Sequence, residues 1–244
     1  MTYSLEKYTL TQLKEIATEL GIKTRRNKAD MIKDISSAFQ EYEEYRETKL
    51  EKYKKLKQIG NKGKEGITFL VETKNGDTFA MKTFRKTKSS QTLKKEYKLQ
   101  KKAGKAGIAP KVIDYDTVSK YIVMEKMDKH LLDVIQLQKG VLLKYQQKRI
   151  LEIFQGLDEI KVFHGDANLA NYMLKGKQIY LIDYGFAKEI DDRLIKNLKT
   201  ETPNLEFMLL GFVLKLKEFG CDLSNFNYLT KKISEKNREK FGIN

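Results

Sequence analysis

Cysteine occurs once in the 244 residues, at Cys221, so no internal disulfide can form. With only two histidines, His130 and His164, the chain also lacks a Cys/His set for structural zinc, and any metal must be held by oxygen ligands. Tryptophan is absent and proline occurs only twice, which leaves glycine and changes of charge to mark the boundaries. The opening MTYSLEKYTL has no apolar run of signal-peptide length, and no later segment has the uninterrupted apolar stretch of a membrane span. These absences predict a soluble, intracellular protein of the cytoplasm or nucleus. There is no internal repeat.

What the chain has in excess is positive charge. Lysine and arginine number 48 against 33 acids, a net of +15. Residues 1–50 carry nine basic and nine acidic side chains and cancel, whereas residues 51–110 carry seventeen against five, a net of +12. Such a field favours polyanions, including nucleic acid, acidic proteins and nucleotide phosphates, without choosing among them.

The periodicity changes along the chain. Leu10, Leu13, Ile16, Ala17 and Leu20 recur at helical spacing behind Thr9, and Gly21 stops the run. Met31, Ile32, Ile35 and Phe39 predict a second helix over 28–39, after a basic connector. Residues 1–38 therefore read as one small module, 39–52 as a charged helical linker, and 53–244 as the main domain. Within 40–57 the pattern is charged and helix-prone. From there strands are predicted at 67–71 and 78–84 about an Asn75-Gly76 turn, and near 111–115 and 121–124, with a Lys-rich helix at 89–104 between the two pairs. Helices at 129–138 and 142–160 and a buried strand at 178–183 follow. The fold class is α+β, with a small antiparallel sheet and one helix followed by a mostly helical half.

Four polar elements stand in order: the glycine-rich segment Gly60-Asn-Lys-Gly63-Lys-Glu-Gly66, Lys82 in a strand, His164-Gly-Asp166 with Asn171 five residues on, and Asp183-Tyr-Gly185. Singly, each reads as a turn, a surface lysine or a cap. Together they resemble the protein-kinase-like superfamily over about residues 55–215. The resemblance implies a two-lobed fold and phosphoryl transfer from ATP with Mg2+. It assigns Gly60, Gly63 and Gly66 to the phosphates and Lys82, with Ala80 beside it, to gripping them. Glu96, the only acid between Asp77 and Asp114, becomes the partner of Lys82. Asp166 would accept the proton of the acceptor hydroxyl or orient that hydroxyl, Asn171 and Asp183 would hold the metal, and Met124, Glu125 and Met127 would receive adenine, mostly through backbone. His164 is expected to brace the loop from within, and Glu206 to stand where the family has an aspartate at the start of a large buried helix.

The sequence also departs from that family. The glycines are spaced G-x-x-G-x-x-G and look closer to the atypical Rio-type loops. Gly165 replaces the arginine that pairs with a phosphorylated activation loop, so control by loop phosphorylation is not expected. No Ala-Pro-Glu follows Asp183, which predicts a shortened helical lobe. Small-molecule kinases also use His-Gly-Asp, but they usually carry a large insertion after the hinge, where 36 residues here separate Met127 from His164. The expected activity is Ser/Thr phosphorylation of a protein substrate. A weak pseudokinase scaffold and a small-molecule phosphotransferase are the alternatives.

Residues 9–32 resemble a SAP module, a helix-extension-helix that binds DNA, with Asn27 where that family often has glycine. The resemblance implies phosphate contacts from Lys23, Arg25, Arg26 and Lys28, salt-sensitive and with little sequence choice. The combination is similar to minimal kinases encoded by large DNA viruses.

Overall fold

The computed structural model describes residues 5–60, 65–85 and 87–243. The chain divides after Lys54 into two compact units. The first opens with a turn of 3-10 helix at Leu5–Lys7 and holds α1 (Leu10–Glu19) and α2 (Lys28–Leu50). Thr9 and Gln12 cap α1 reciprocally: Gln12 Oε1 accepts the Thr9 N–H at 2.9 Å, and Thr9 Oγ1 accepts the Gln12 N–H at 3.3 Å. Gly21, at φ +71°, makes the left-handed turn that ends the helix, and the Ile22 N–H donates back to the Ala17 carbonyl at 2.7 Å. Helical spacing then places Leu13 and Ala17 against Met31 and Ile35, with Leu5 closing the small core. Leu20, expected on that face, is 41% exposed because it sits at the C-cap, beyond the last turn. Asn27 acts locally, its Oδ1 accepting the Ala29 N–H at 2.8 Å where α2 starts. That helix continues through most of the stretch read as a charged linker.

The second unit is α+β. Its main sheet has the order β1-β2-β3-β5-β4, from β1 (Tyr53–Gln58), β2 (Gly66–Thr73), β3 (Thr78–Phe84), β4 (Val112–Asp116) and β5 (Tyr121–Glu125). Residues 53–57, predicted within a charged helix, are instead the edge strand β1. Sheet pairing overrides local propensity there, and the exposed lysines 54, 55 and 57 suit an edge that must not pair further. The β2–β3 turn carries Gly76 at φ +86°. Gly66 is required by the sheet itself: a Cβ there would stand 2.0 Å from the Thr83 carbonyl oxygen.

Against this sheet lies α3 (Ser90–Lys105), capped by Ser89 and burying Leu93 beside Ala80, Phe84, Ile122 and Met124. Glu96 follows Leu93 by one turn and is buried on the same face.

The helical half is built on α4 (Leu131–Leu137), α5 (Lys144–Glu159) and α7 (Leu209–Glu218), with α6 (Asp192–Leu198) on the preceding segment. A small sheet of β6 (Lys129–His130), β8 (Tyr172–Lys175) and β9 (Gln178–Leu181) joins it, and β7 (Val162–Phe163) pairs with β10 (Lys188–Glu189). Phe154, Tyr172 and Phe212 meet edge to face at the centre, with ring centroids 4.9 to 6.4 Å apart. After α7 come a 3-10 turn (Leu223–Phe226) and the short helices α8 (Asn227–Thr230) and α9 (Glu235–Phe241). No helix among them is long and apolar enough to cross a membrane.

Candidate active site

A cavity of about 150 Å³ opens between the main sheet and the paired strands β6 and β8. Of the residues singled out in the sequence, Gly60, Ala80, Lys82, Met124, Glu125, Met127 and Asp183 line it. Gly63 lies outside the described residues. Gly66 is not among the residues that line the cavity, and the close approach it permits is to Thr83 of β3. Gly60 has room around it, since a Cβ there would come no nearer than 3.7 Å to Thr68. Thr68, Gln100, His130, Met173 and Ile182 also line the cavity. Met173 and Ile182 lie within two residues of Asn171 and Asp183 in sequence, a signal that could have found them. Gln100 carried none, and reaches the site because α3 places it against Met124, whose sulfur accepts from Gln100 Nε2 at 3.2 Å. The Met127 N–H, at the rim, makes no hydrogen bond among the described residues.

Lys82 stands opposite Thr68 and Ile122 in the sheet register and reaches across the cavity floor. Its Nζ donates to Glu96 Oε1 at 2.8 Å and to Asp183 Oδ1 at 2.7 Å. Burial alone would lower the ammonium pKa, but the charges of Glu96 and Asp183 outweigh it and hold the pKa above the ordinary 10.5. Asp183 is the mirror case: burial pushes it up, yet Lys82 prevails and holds it below 3.8. The backbone at Asp183 is left-handed, φ +65°, and β9 ends at Leu181, two residues earlier than predicted. This turn aims the carboxylate back at the Gly185 N–H, 3.3 Å away, as well as at Lys82.

Asp166 and Asn171 form the second cluster. Asn171 Nδ2 donates to Asp166 Oδ2 at 2.9 Å, and Asp166 Oδ1 accepts the Asn168 N–H at 3.0 Å. The two clusters are joined through backbone. The Ile182 N–H donates to the Asn171 carbonyl at 2.8 Å. His164, with no exposed surface, has Nδ1 3.1 Å from the Asp166 carbonyl oxygen and Nε2 3.0 Å from that of Ile182. Burial holds this imidazole below its ordinary pKa, and its two carbonyl contacts brace the loop from within.

The loop is anchored from below by a residue that the sequence did not single out. Asn204 Oδ1 accepts the His164 N–H at 3.1 Å, while Nδ2 donates to Asp158 Oδ1 and the Val162 carbonyl at 2.7 and 2.8 Å. Glu206, expected to open the large buried helix, lies in a π-helical turn (Asn204–Met208) before α7 and accepts from Thr200 Oγ1 instead. Asn204 escapes a sequence reading because after Pro203 it looks like a turn residue.

The donor set suits a hard cation. Asn171 donates its amide nitrogen to Asp166, which leaves Oδ1 as the free atom, and Asp183 Oδ2 accepts no hydrogen bond among the described residues. Carboxylate and amide oxygens are ligands for Mg2+. The site thus combines a paired ammonium, two oxygens of the kind that suit a divalent ion and an ordered carboxylate beside them. The family model described as Protein kinase domain matches residues 53–208. No curated protein matches the chain.

Proposed function

Since the chain belongs to the protein kinase domain family, we propose that it transfers the terminal phosphoryl group of ATP to Ser/Thr hydroxyls of a protein substrate. The observation that carries this reading is Lys82 held between Glu96 and Asp183, at 2.8 and 2.7 Å, beside an Asp166 carboxylate bonded to Asn171. Phosphoryl transfer asks the protein chiefly to position groups and to neutralise charge. Lys82 grips the phosphates, and Glu96 fixes the direction of its side chain. Asp166 orients the acceptor hydroxyl and takes its proton at the carboxylate. Asn171 and Asp183 hold Mg2+, which when bound supplies neutralising charge to the phosphates. Adenine enters the apolar cavity between Ala80, Met124 and Met173, with the free Met127 N–H as a donor to it.

A protein acceptor is favoured over a small molecule because the segment between Met127 and His164 holds only β6, α4, α5 and β7, with no added domain to enclose a metabolite. Incubation with labelled ATP, Mg2+ and a generic protein substrate, followed by phosphoamino-acid analysis, tests the reading. Phosphoserine or phosphothreonine is expected. Labelling of metabolites alone would contradict it.

In the same reading residues 1–38 tether the enzyme to DNA. Arg25 is paired with Asp34 at 2.8 Å and Lys28 donates to the Glu6 carbonyl at 3.0 Å, while Lys23 and Arg26 have no partner among the described residues and are free for phosphates. Binding of a DNA duplex that weakens steeply with salt, and falls on Lys23→Ala with Arg26→Ala, is the test; equal binding by that variant would exclude the tether.

A further inference from the structure

Lys88, in the turn between β3 and α3, brings a second ammonium to the site. Its side chain is only 8% exposed, and Nζ lies 2.5 Å from Glu96 Oε2 and 2.7 Å from Glu65 Oε2. The same Nζ stands 4.4 Å from the centre of the Phe84 ring, and Lys120 Nζ donates to the Lys88 carbonyl at 2.7 Å, pinning the turn. Withdrawing an ammonium this far from water is costly unless it is paired, and two carboxylates flank this one. One of them is unusual in its placement. Glu65, just before Gly66, lays its carboxylate over Gly185, where a Cβ would come within 2.6 Å of Oε2, and it stands 3.9 Å from Lys82 Nζ. Glu65, Glu96 and Asp183 have oxygens within 4.8 Å of one another, so three carboxylates share the two ammoniums of Lys82 and Lys88.

We infer that Lys88 is a positioning residue that makes Lys82 available to the nucleotide by neutralising Glu96 and Glu65. The inference rests on the phosphoryl-transfer reading above. Glu96 divides its two oxygens between the lysines, Oε1 to Lys82 and Oε2 to Lys88. When Lys82 turns to phosphate, Lys88 keeps this buried carboxylate paired. Glu65 has no other cation within 3 Å among the described residues. With Lys88 removed, its charge acts on the place where phosphates bring more of the same sign, and among the described residues Lys82 alone is left to face all three carboxylates. In a partly buried site that repulsion is screened far less than at the surface.

Titration of the full chain with Mg-ATP tests this on wild type, Lys88→Met, Lys88→Arg, Glu65→Gln and the Lys88→Met/Glu65→Gln double variant. Lys88→Met is expected to weaken ATP about tenfold, and Lys88→Arg to stay within about threefold. Glu65→Gln in the double variant is expected to restore most of the loss, since the charge that needed neutralising is gone, a rescue that a merely structural lysine would not produce. Glu65→Gln alone, the substitution least demanding on folding, is expected to bind ATP at least as tightly as wild type. Equal affinity of Lys88→Met and wild type, no rescue in the double variant, or weaker binding by Glu65→Gln alone would each overturn the inference. Wild type that binds ATP but transfers no phosphate contradicts the kinase reading, while the affinities still decide the role of Lys88.

Discussion

Asn204 holds the main chain of His164: its Oδ1 accepts the His164 N–H at 3.1 Å, and its own position is fixed by Asp158, which accepts the Asn204 N–H and Nδ2 and the Leu205 N–H at 2.7 to 3.0 Å. The loop bearing Asp166 is thereby tied to the start of α7 and to α5. Asn204→Ala leaves a buried carboxylate and a buried N–H short of partners. A loss of about 2–4 kcal/mol in urea unfolding is expected, with phosphoryl transfer reduced in the folded fraction. A change under about 0.5 kcal/mol would mean that the anchor is dispensable.

The glycines of the segment before β3 separate by mechanism. Gly66→Ala must push a methyl group into the Thr83 carbonyl, 2.0 Å away, and is expected to destabilise by several kcal/mol, about 2 or more. Gly60→Ala meets nothing nearer than 3.7 Å and is expected to leave the unfolding midpoint nearly unchanged. Thermal melts of the two variants distinguish them, and equal effects would contradict the close approach at Gly66.

Tyr184 carries a polar group into apolar surroundings. Its ring meets His164 edge to face with centroids 4.9 Å apart, but its hydroxyl is buried without a partner among the described residues, and burial pushes the phenol far above its ordinary pKa. Tyr184→Phe keeps the ring contact and removes the orphan group. The expected result is unchanged or higher stability, by up to about 1 kcal/mol, in a chemical unfolding series. A loss above that would reveal a bonded hydroxyl.

The Lys82–Asp183 pair has a defined pH window. Asp183 titrates below its ordinary 3.8 in the folded protein, so its contribution to stability is present above that value and is lost as pH falls through the lower folded pKa. Lys82 titrates above 10.5, so its contribution is complete below that value and is lost as pH rises through the higher folded pKa. The stability difference between wild type and Asp183→Asn is therefore expected to be flat between about pH 5 and about pH 9, which unfolding curves at several pH values measure. A difference that changes sharply near neutrality would point to another group.

The strands and helices that carry the site were legible because their patterns are local: β3 spans the predicted 78–84 and carries Lys82, Asn171 closes a short 3-10 turn, and Asp166 and Asp183 lie in the connections that follow β7 and β9. Glu96 could be named because no other acid lay nearby in sequence. What escaped depended on three-dimensional neighbours. Lys88 looks like one more surface lysine until Glu65 and Glu96 are seen on both sides of it. Residues 53–57 have helical composition but take the edge of a sheet, and Gly66 looks like part of a phosphate loop while its constraint comes from Thr83. Asn204 could not be told from a turn residue without Asp158 and His164, which lie about 40 or more positions earlier in the chain.

Whether Lys82, Asp166 and Asp183 act together in phosphoryl transfer is measured most directly by label transfer from ATP with Mg2+ to the protein itself and to a generic Ser/Thr substrate. Wild type is expected to label, and Asp166→Asn and Asp183→Asn to lose at least about a hundredfold of that rate while still folding. Labelling that persists in both variants, or that is absent from wild type with ATP bound, would contradict the account.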